Sequence, residues 1–235
     1  RSTLFPYTTL FRSGRRRDSL YFTETNCKVL PFLSCGGVIS LMGWLHTASL
    51  RGSTKTTLWR SIPYAFLAVD ASGVYVTQTS YAGHGYSGNI EFWSFATSGM
   101  HSDWVAGVPG GPYGIAINES HIYFSSPGSG AGVVGRAPLA GGQWEIVHSD
   151  EQAGIIKGPY TVAIDAENVY WSTSWLNCAA GPHNIWIRPI SLSKNGKKLS
   201  DDLPGCPTTL AVDDSGVYWT LFDGGPSSVM WKKKQ

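Results

Sequence analysis

The sequence predicts an all-β fold, a β-propeller of four-stranded blades, and three observations carry that prediction. Four segments align without gaps: Leu67-Ala68-Val69-Asp70 to Val74-Tyr75-Val76-Thr77, Ile115-Ala116-Ile117-Asn118 to Ile122-Tyr123-Phe124-Ser125, Val162-Ala163-Ile164-Asp165 to Val169-Tyr170-Trp171-Ser172, and Leu210-Ala211-Val212-Asp213 to Val217-Tyr218-Trp219-Thr220. Their tyrosines are spaced by 48, 47 and 48 residues, the period of a blade rather than of a helical repeat. No segment sustains a 3.6-residue apolar period, and 13% aromatic residues with 28 glycines in 235 fit strands joined by turns.

Each repeat opens with a proline (Pro63, Pro112, Pro159, Pro207), three times as Pro-Tyr. The apolar run that follows, with a small alanine in its middle, reads as a strand buried on both faces near a crowded axis. A four-residue turn comes next, at Asp70–Gly73, Asn118–His121, Asp165–Asn168 and Asp213–Gly216. Asp or Asn first and Gly, His or Asn last are the types that cap a type I turn and accept a positive φ, which also accounts for His121. Val-Tyr-Trp-Thr and its equivalents then form the second strand, aromatic and β-branched. Third and fourth strands are expected at Ile90–Ala96 and Asp103–Val108 in one unit and at Val133–Leu139 and Trp144–His148 in the next, the latter pair turning at Gly141-Gly142.

The units run approximately 18–61, 62–110, 111–157, 158–205 and 206–235, about four complete blades with partial blades at the ends. In the first, Leu20–Thr23, Trp44–Leu50 and Lys55–Arg60 read as strands two, three and four. Its innermost strand is due near residues 11–16, but Thr3–Ser13 (TLFPYTTLFRS) match the translation of a common sequencing adapter, so residues 1–17 are set aside as an artefact and its junction. Val229-Met230-Trp231 begins a third strand in the last unit. The chain therefore reads as a fragment of a six- or seven-bladed ring, and a signal peptide cannot be read from it.

Eight of the 18 basic residues sit at the two ends: Arg1, Arg12, Arg15, Arg16, Arg17, Lys232, Lys233 and Lys234. Residues 18–231 hold 10 basic and 16 acidic side chains, a net charge of −6, so the repeats carry no basic stripe for nucleic acid. Val38–Leu45, the longest apolar candidate, is far too short for a membrane span.

The Ala-Val-Asp and Val-Tyr-Trp-Thr pattern, with the strand Val134-Gly135-Arg136-Ala137-Pro138-Leu139-Ala140-Gly141-Gly142, resembles the YWTD-like β-propellers of low-density-lipoprotein-receptor type and their bacterial secreted relatives. The resemblance implies a six-bladed ring presenting loops to protein partners. The chain departs from it where an Asp is due after Trp-Ser or Trp-Thr, since Thr173 and Leu221 stand there.

All four cysteines fall in connectors assigned to one face, the face of the links after the second strand and into the next blade. Cys27 with Cys35 and Cys178 with Cys206 are the expected disulfides, which places the chain in an extracytoplasmic compartment. The alternatives are free buried thiols in a cytosolic protein and a metal site of Cys178, His183 and Cys206, whose spacing matches no standard zinc pattern. Tyr81, His84, Tyr86, Trp175, Asn177 and His183 lie on the same face and form the candidate ligand-binding set, against the plainer reading of a solvated loop. His46, His101 and His148 read as surface or rim residues of outer strands.

No nucleophile elbow, zincin helix or phosphate-cradling loop occurs. The expected function is a non-enzymatic binding module for a protein or glycan, without cofactor or metal. The alternative is a propeller enzyme of lactonase or streptogramin-lyase type with a divalent metal at the channel mouth. Against that alternative, the innermost strands place no carboxylate or imidazole in their apolar runs.

Overall fold

The computed structural model describes residues 7–11, 19–26, 42–49, 55–60, 66–82, 85–127, 132–149, 157–175, 183–222 and 228–234; of residues 7–56, 59–60, 79–86, 157 and 174–175 within these, it defines the backbone alone. Every regular element among them is a strand. The first sheet is β1 (Tyr7–Phe11), β2 (Ser19–Asn26), β3 (Met42–Ser49) and β4 (Lys55–Arg60). The second is β5 (Leu67–Val69), β6 (Gly73–Ala82), β7 (Gly85–Ser94) and β8 (Gly99–Pro109). The third is β9 (Ile115–Ile117), β10 (His121–Ser126), β11 (Val133–Pro138) and β12 (Glu145–Ser149). The fourth is β13 (Lys157–Ile164), β14 (Asn168–Trp175), β15 (His183–Pro189) and β16 (Lys197–Leu203), and the last has three strands, β17 (Cys206–Val212), β18 (Gly216–Phe222) and β19 (Ser228–Lys233).

Within each sheet the strands pair in chain order and antiparallel, so each sheet is a meander of hairpins. Successive sheets meet through their first strands, β5 on β9, β9 on β13 and β13 on β17, which makes these the inner strands of a propeller. The core lies between blades. Tyr75, Ile90, Phe92, Val105 and Val108 of the second sheet pack with Ile115, Ile122, Phe124 and Ala137 of the third. Tyr123, Val134 and Val147 of the third pack with Val162, Val169 and Trp171 of the fourth.

The predicted second strands and the hairpin at Gly141-Gly142 are all present, and Gly141 (φ 83°) and Gly142 (φ 106°) take the left-handed conformations that turn requires. The first sheet departs from expectation. Its innermost strand comes from the adapter-like segment, with Phe11 opposite Tyr21, whereas Ala68, Ala116, Ala163 and Ala211 face the equivalent tyrosines. Tyr-Thr-Thr-Leu-Phe is β-branched and aromatic, a composition that suits a pleated edge whatever its origin.

The repeated turns are built differently from the prediction. In each, the Asp or Asn side chain accepts the backbone N–H groups two and three residues on: Asp70 Oδ1 from Ser72 (2.7 Å) and Gly73 (3.0 Å), Asn118 Oδ1 from Ser120 and His121, Asp165 Oδ1 from Glu167 and Asn168, and Asp213 Oδ1 from Ser215 and Gly216. None of Gly73, His121, Asn168 and Gly216 has a positive φ. The glycines are instead required by close packing on the third strand: a Cβ at Gly73 would lie 2.1 Å from the Trp93 carbonyl oxygen, and one at Gly216 would lie 2.2 Å from Trp231 Nε1. Gly73→Ala and Gly73→Asn are therefore expected to destabilise equally, each by about 1–3 kcal/mol. A left-handed site would favour Asn over Ala, so chemical denaturation of the two variants separates the explanations.

The tyrosine five residues after the turn Asp completes the device. Tyr75 OH donates to Asp70 Oδ2 (3.1 Å) and Tyr170 OH to Asp165 Oδ2 (2.8 Å), while Tyr218 OH meets Ser215 Oγ (2.7 Å) beside Asp213. Burial, with the Asp70 charge beside it, pushes the Tyr75 phenol up to about 12, and burial with Asp165 pushes Tyr170 up as well. Burial raises the Asp165 carboxyl, but bonds from Lys234, Glu167, Tyr170 and Asn168 outweigh it and hold the group below its ordinary value. A depressed carboxyl stabilises the fold above its unfolded pKa and loses that contribution as pH falls through the folded one. A raised phenol stabilises below its unfolded pKa and loses that contribution as pH rises through the folded value. Stability should thus fall in acid below about pH 4 and in alkali above about pH 10. Asp165→Asn is expected to flatten the acid limb, read from unfolding free energies across pH.

Candidate loop-face binding site

The Asp turns occupy one face of the propeller, together with the links between third and fourth strands. The opposite face carries the β6–β7 hairpin and the connectors that enter β9, β13 and β17, and it is here that the prolines of the repeat act. A Cβ at Gly88 would lie 2.6 Å from Pro112 Cδ, and one at Gly132 would lie 2.5 Å from Pro159 Cδ. Each proline thus seats against a glycine of the preceding blade's third strand or its entry, and Gly158 fits as closely on Pro127. Close approach of backbones fixes how successive connectors follow one another.

A hydroxyl two residues after each repeat tyrosine stitches the connector to the blade. Thr77 Oγ1 accepts the Phe66 N–H (3.0 Å) and Ser125 Oγ accepts the Gly114 N–H (2.9 Å), while Ser172 Oγ accepts the Thr161 N–H (3.3 Å) and Thr220 Oγ1 pairs with Thr208 Oγ1 (2.7 Å). Ser125 Oγ also donates to the Tyr160 carbonyl (2.8 Å), which ties the third blade to the fourth. These bonds fill the gaps left where the inner strand bulges between Pro159 and Val162 and between Pro207 and Thr209.

The consequence is a row of aromatic rings across three blades. Phe66 lies 6.1 Å from Tyr113, and Tyr113 lies 5.4 Å from Tyr160, centroid to centroid, with tilted planes. All three are partly exposed at the ends of inner strands, so the row borders the mouth of the channel. Burial raises the Tyr160 phenol, which stays neutral at physiological pH. Tilted rings at this spacing offer alternating faces and edges to apolar or hydrogen-bonding groups.

Sequence reasoning did not select these residues, although the recurring Pro-Tyr pair was the signal for Tyr113 and Tyr160; Phe66 stands two residues beyond the pair Pro63-Tyr64. Of those it did select, Tyr81 and Tyr86 face each other across the β6–β7 hairpin, and Trp175 ends β14 opposite Lys157. His183 opens β15 opposite Leu203 and is 4% exposed, so its ring belongs to the blade's interior. It occupies the strand position that Gly88 and Gly132 hold in the preceding blades, four residues past the repeat tyrosine across the pair. His84 and Asn177 lie outside the described residues, as do Cys27, Cys35 and Cys178. Cys206 is buried beside the connector into β17 and is not a free thiol. His148, expected at the rim, instead packs at 4.8 Å on Trp171 and 5.7 Å on Trp186 between the third and fourth blades.

No helix among the described residues is long and apolar enough to cross a membrane. No protein-family model matches the chain, and no curated protein matches it either. Solved structures do. A chain of the nidogen–laminin complex superposes with a TM-score of 0.65 at 15% identity, over 91% of this chain and 72% of that one. TolB from Acinetobacter baumannii gives 0.56 at 16% identity over 81% of this chain and 46% of its own, and the Pyrococcus horikoshii acylaminoacyl peptidase gives 0.58 at 8% identity over 91% and 35%. The chain thus spans less than half the length of the latter two. At these identities the likeness is one of architecture, and with the antiparallel four-stranded sheets it establishes the fold as a β-propeller.

Proposed function

We propose that this chain is a non-enzymatic, extracytoplasmic binding module of the YWTD-like kind, which presents its loop face to a protein partner. The observation that carries the reading is the row Phe66, Tyr113 and Tyr160, three partly exposed rings from successive blades held at 5.4–6.1 Å beside the channel mouth. Partly exposed aromatic residues on rigid connectors are favoured anchors in protein recognition, because they bring a large contact area at little cost in conformational entropy. The likeness to a chain of the nidogen–laminin complex, itself an assembly of two proteins, agrees with a protein partner.

The extracytoplasmic assignment rests on Cys206, buried and not free, which we pair with Cys178 across two connectors of the same face. Non-reducing mass spectrometry is expected to find the Cys178–Cys206 peptide pair, and free thiols at both positions would remove the assignment.

Selection from a displayed library of folded protein domains tests the binding reading. Binders enriched on the wild-type chain are expected to lose at least tenfold in affinity for a Tyr113→Ala, Tyr160→Ala variant that keeps its wild-type circular dichroism. Binders that ignore both substitutions and compete instead at the Asp-turn face would contradict it.

A further inference from the structure

Asn195-Gly196 is the only step in the sequence at which glycine follows asparagine. It lies in the link between β15 and β16, exposed at Asn195 and half-buried at Gly196. The link is anchored on both sides of the step. Arg188 Nε donates to the Lys194 carbonyl (2.9 Å) and Nη2 to the Leu192 carbonyl (3.3 Å), and β16 begins at Lys197 opposite Ile187. The step itself belongs to neither strand.

Asn195 differs from the other asparagines whose side chains are described. Asn89 donates to Asp103 and accepts from Gly107, Asn118 accepts from Ser120 and His121, and Asn184 accepts from Asp202. No hydrogen bond among the described residues holds the Asn195 amide. The residues that follow Asn89, Asn118, Asn168 and Asn184 are Ile90, Glu119, Val169 and Ile185, whose side chains screen the next backbone nitrogen. Gly196 has nothing to screen its own. Lys194 and Lys197, both exposed, flank the step, and their positive charges favour the deprotonated form of a backbone nitrogen between them.

We propose that Asn195-Gly196 is a self-modifying site, at which the chain converts Asn195 to isoaspartate and aspartate without an enzyme, and that the isoaspartate form loosens the seam between the third and fourth blades. The Gly196 nitrogen gives its proton to hydroxide and bonds Asn195 Cγ. The Cγ–Nδ2 bond breaks, and Nδ2 leaves as ammonia with a proton taken from water, which restores the hydroxide. Water then opens the five-membered succinimide at either carbonyl. Opening at Cγ gives aspartate on the original main-chain path, whereas opening at the backbone carbonyl gives isoaspartate, whose main chain runs through Cβ and Cγ.

The effect on the seam follows from where Gly196 sits. A Cβ placed on it would come within 2.8 Å of Trp171 Cη2, so its backbone lies directly on that wholly buried ring. Trp171 packs with Tyr123, Val134 and Val147 of the third blade. Isoaspartate lengthens the main chain by one carbon immediately before Gly196, between two anchored points. A close-packed interior has no room for that atom unless Gly196 moves off the indole. Aspartate adds the same charge and leaves the path unchanged.

Incubation of the full chain at mildly alkaline pH, followed by peptide mapping with electron-transfer dissociation and by thermal melts, tests both parts. Isoaspartate is expected at Asn195 ahead of every other asparagine, and Asn195→Gln should cut the release of ammonia several-fold. The aged wild-type chain is expected to melt several degrees lower than the fresh one, while aged Asn195→Gln and fresh Asn195→Asp keep the wild-type melting curve. A chain still unmodified at Asn195 when the peptide Ser193–Lys198 has converted would overturn the proposal, as would earlier conversion at another asparagine. An aged chain as stable as the fresh one, or an Asn195→Asp variant as weakened as the aged chain, would overturn the link to the seam.

Discussion

Trp171→Ala is expected to lower the unfolding free energy by about 3–5 kcal/mol, the range for deleting a buried aromatic side chain. Trp171 is wholly buried and lies where the third and fourth blades meet, among Tyr123, Val134, Val147, Val162 and Val169. Trp186 stacks nearly parallel to it at 6.1 Å, and the His148 ring covers it from β12 at 4.8 Å. On the far side, a Cβ at Gly196 would come within 2.8 Å of its ring, so the indole is enclosed by backbone as well as side chains. Backbone cannot collapse into the space that alanine would leave, which places the cost toward the upper end of the range. Trp171→Phe keeps most of the volume and should recover more than half of the loss. Denaturant unfolding of the two variants provides the comparison.

Gly158→Val is expected to be nearly as damaging, at about 3 kcal/mol or more, and for the opposite reason. A Cβ at Gly158 would lie 2.3 Å from both the Cα and the carbonyl oxygen of Pro127. Backbone atoms cannot move aside by changing rotamer, so the fourth blade would have to shift away from the third. That shift would stretch the Ser125 hydroxyl bond to the Tyr160 carbonyl and part Tyr113 from Tyr160. The variant should therefore lose stability and weaken loop-face binding together, whereas Tyr113→Ala should affect binding with little change in stability. Thermal melts measured beside affinities for the selected binders separate the two effects.

What the sequence revealed and what it concealed follow from the range of the interactions involved. Local turn chemistry is written in adjacent residues, so the spacing from Asp or Asn to Tyr identified a hairpin in four of the five sheets, and the Gly141-Gly142 turn fell where its two positive φ angles are needed. Lys55–Arg60 was readable to its ends because a β-branched, aromatic run with charged termini defines a strand without help from elsewhere. The role of Gly73 was not readable. The residue meets Trp93 on the third strand, twenty positions away, and local pattern alone favoured a left-handed turn.

The third blade shows the same limit. Asn118 stands where the others carry Asp, and Tyr123 meets Arg136 in place of a carboxylate. Arg136 in turn bonds Glu145 (2.6 Å) and the Ile190 carbonyl of the next blade (2.9 Å), partners that no local motif names. Bulges on the fourth strands are likewise held from the third: Asn89 bonds Asp103 and Gly107, and Asn184 bonds Asp202, at equivalent positions of two blades. The aromatic row was concealed because its members stand 47 residues apart or more and meet only when blades stack. The Pro-Tyr pairs marked Tyr113 and Tyr160 but not Phe66, and only the proline-on-glycine packing between blades reveals why the rings converge.

Nuclear Overhauser spectroscopy on a sample with selectively protonated Phe and Tyr rings addresses that convergence most directly. Ring-to-ring cross-peaks are predicted between Tyr113 and Tyr160 and, more weakly, between Phe66 and Tyr113, from centroid distances of 5.4 and 6.1 Å. A spectrum in which Tyr113 contacts neither ring, in a sample that is otherwise folded, would contradict the stacked arrangement of blades and the binding face built on it.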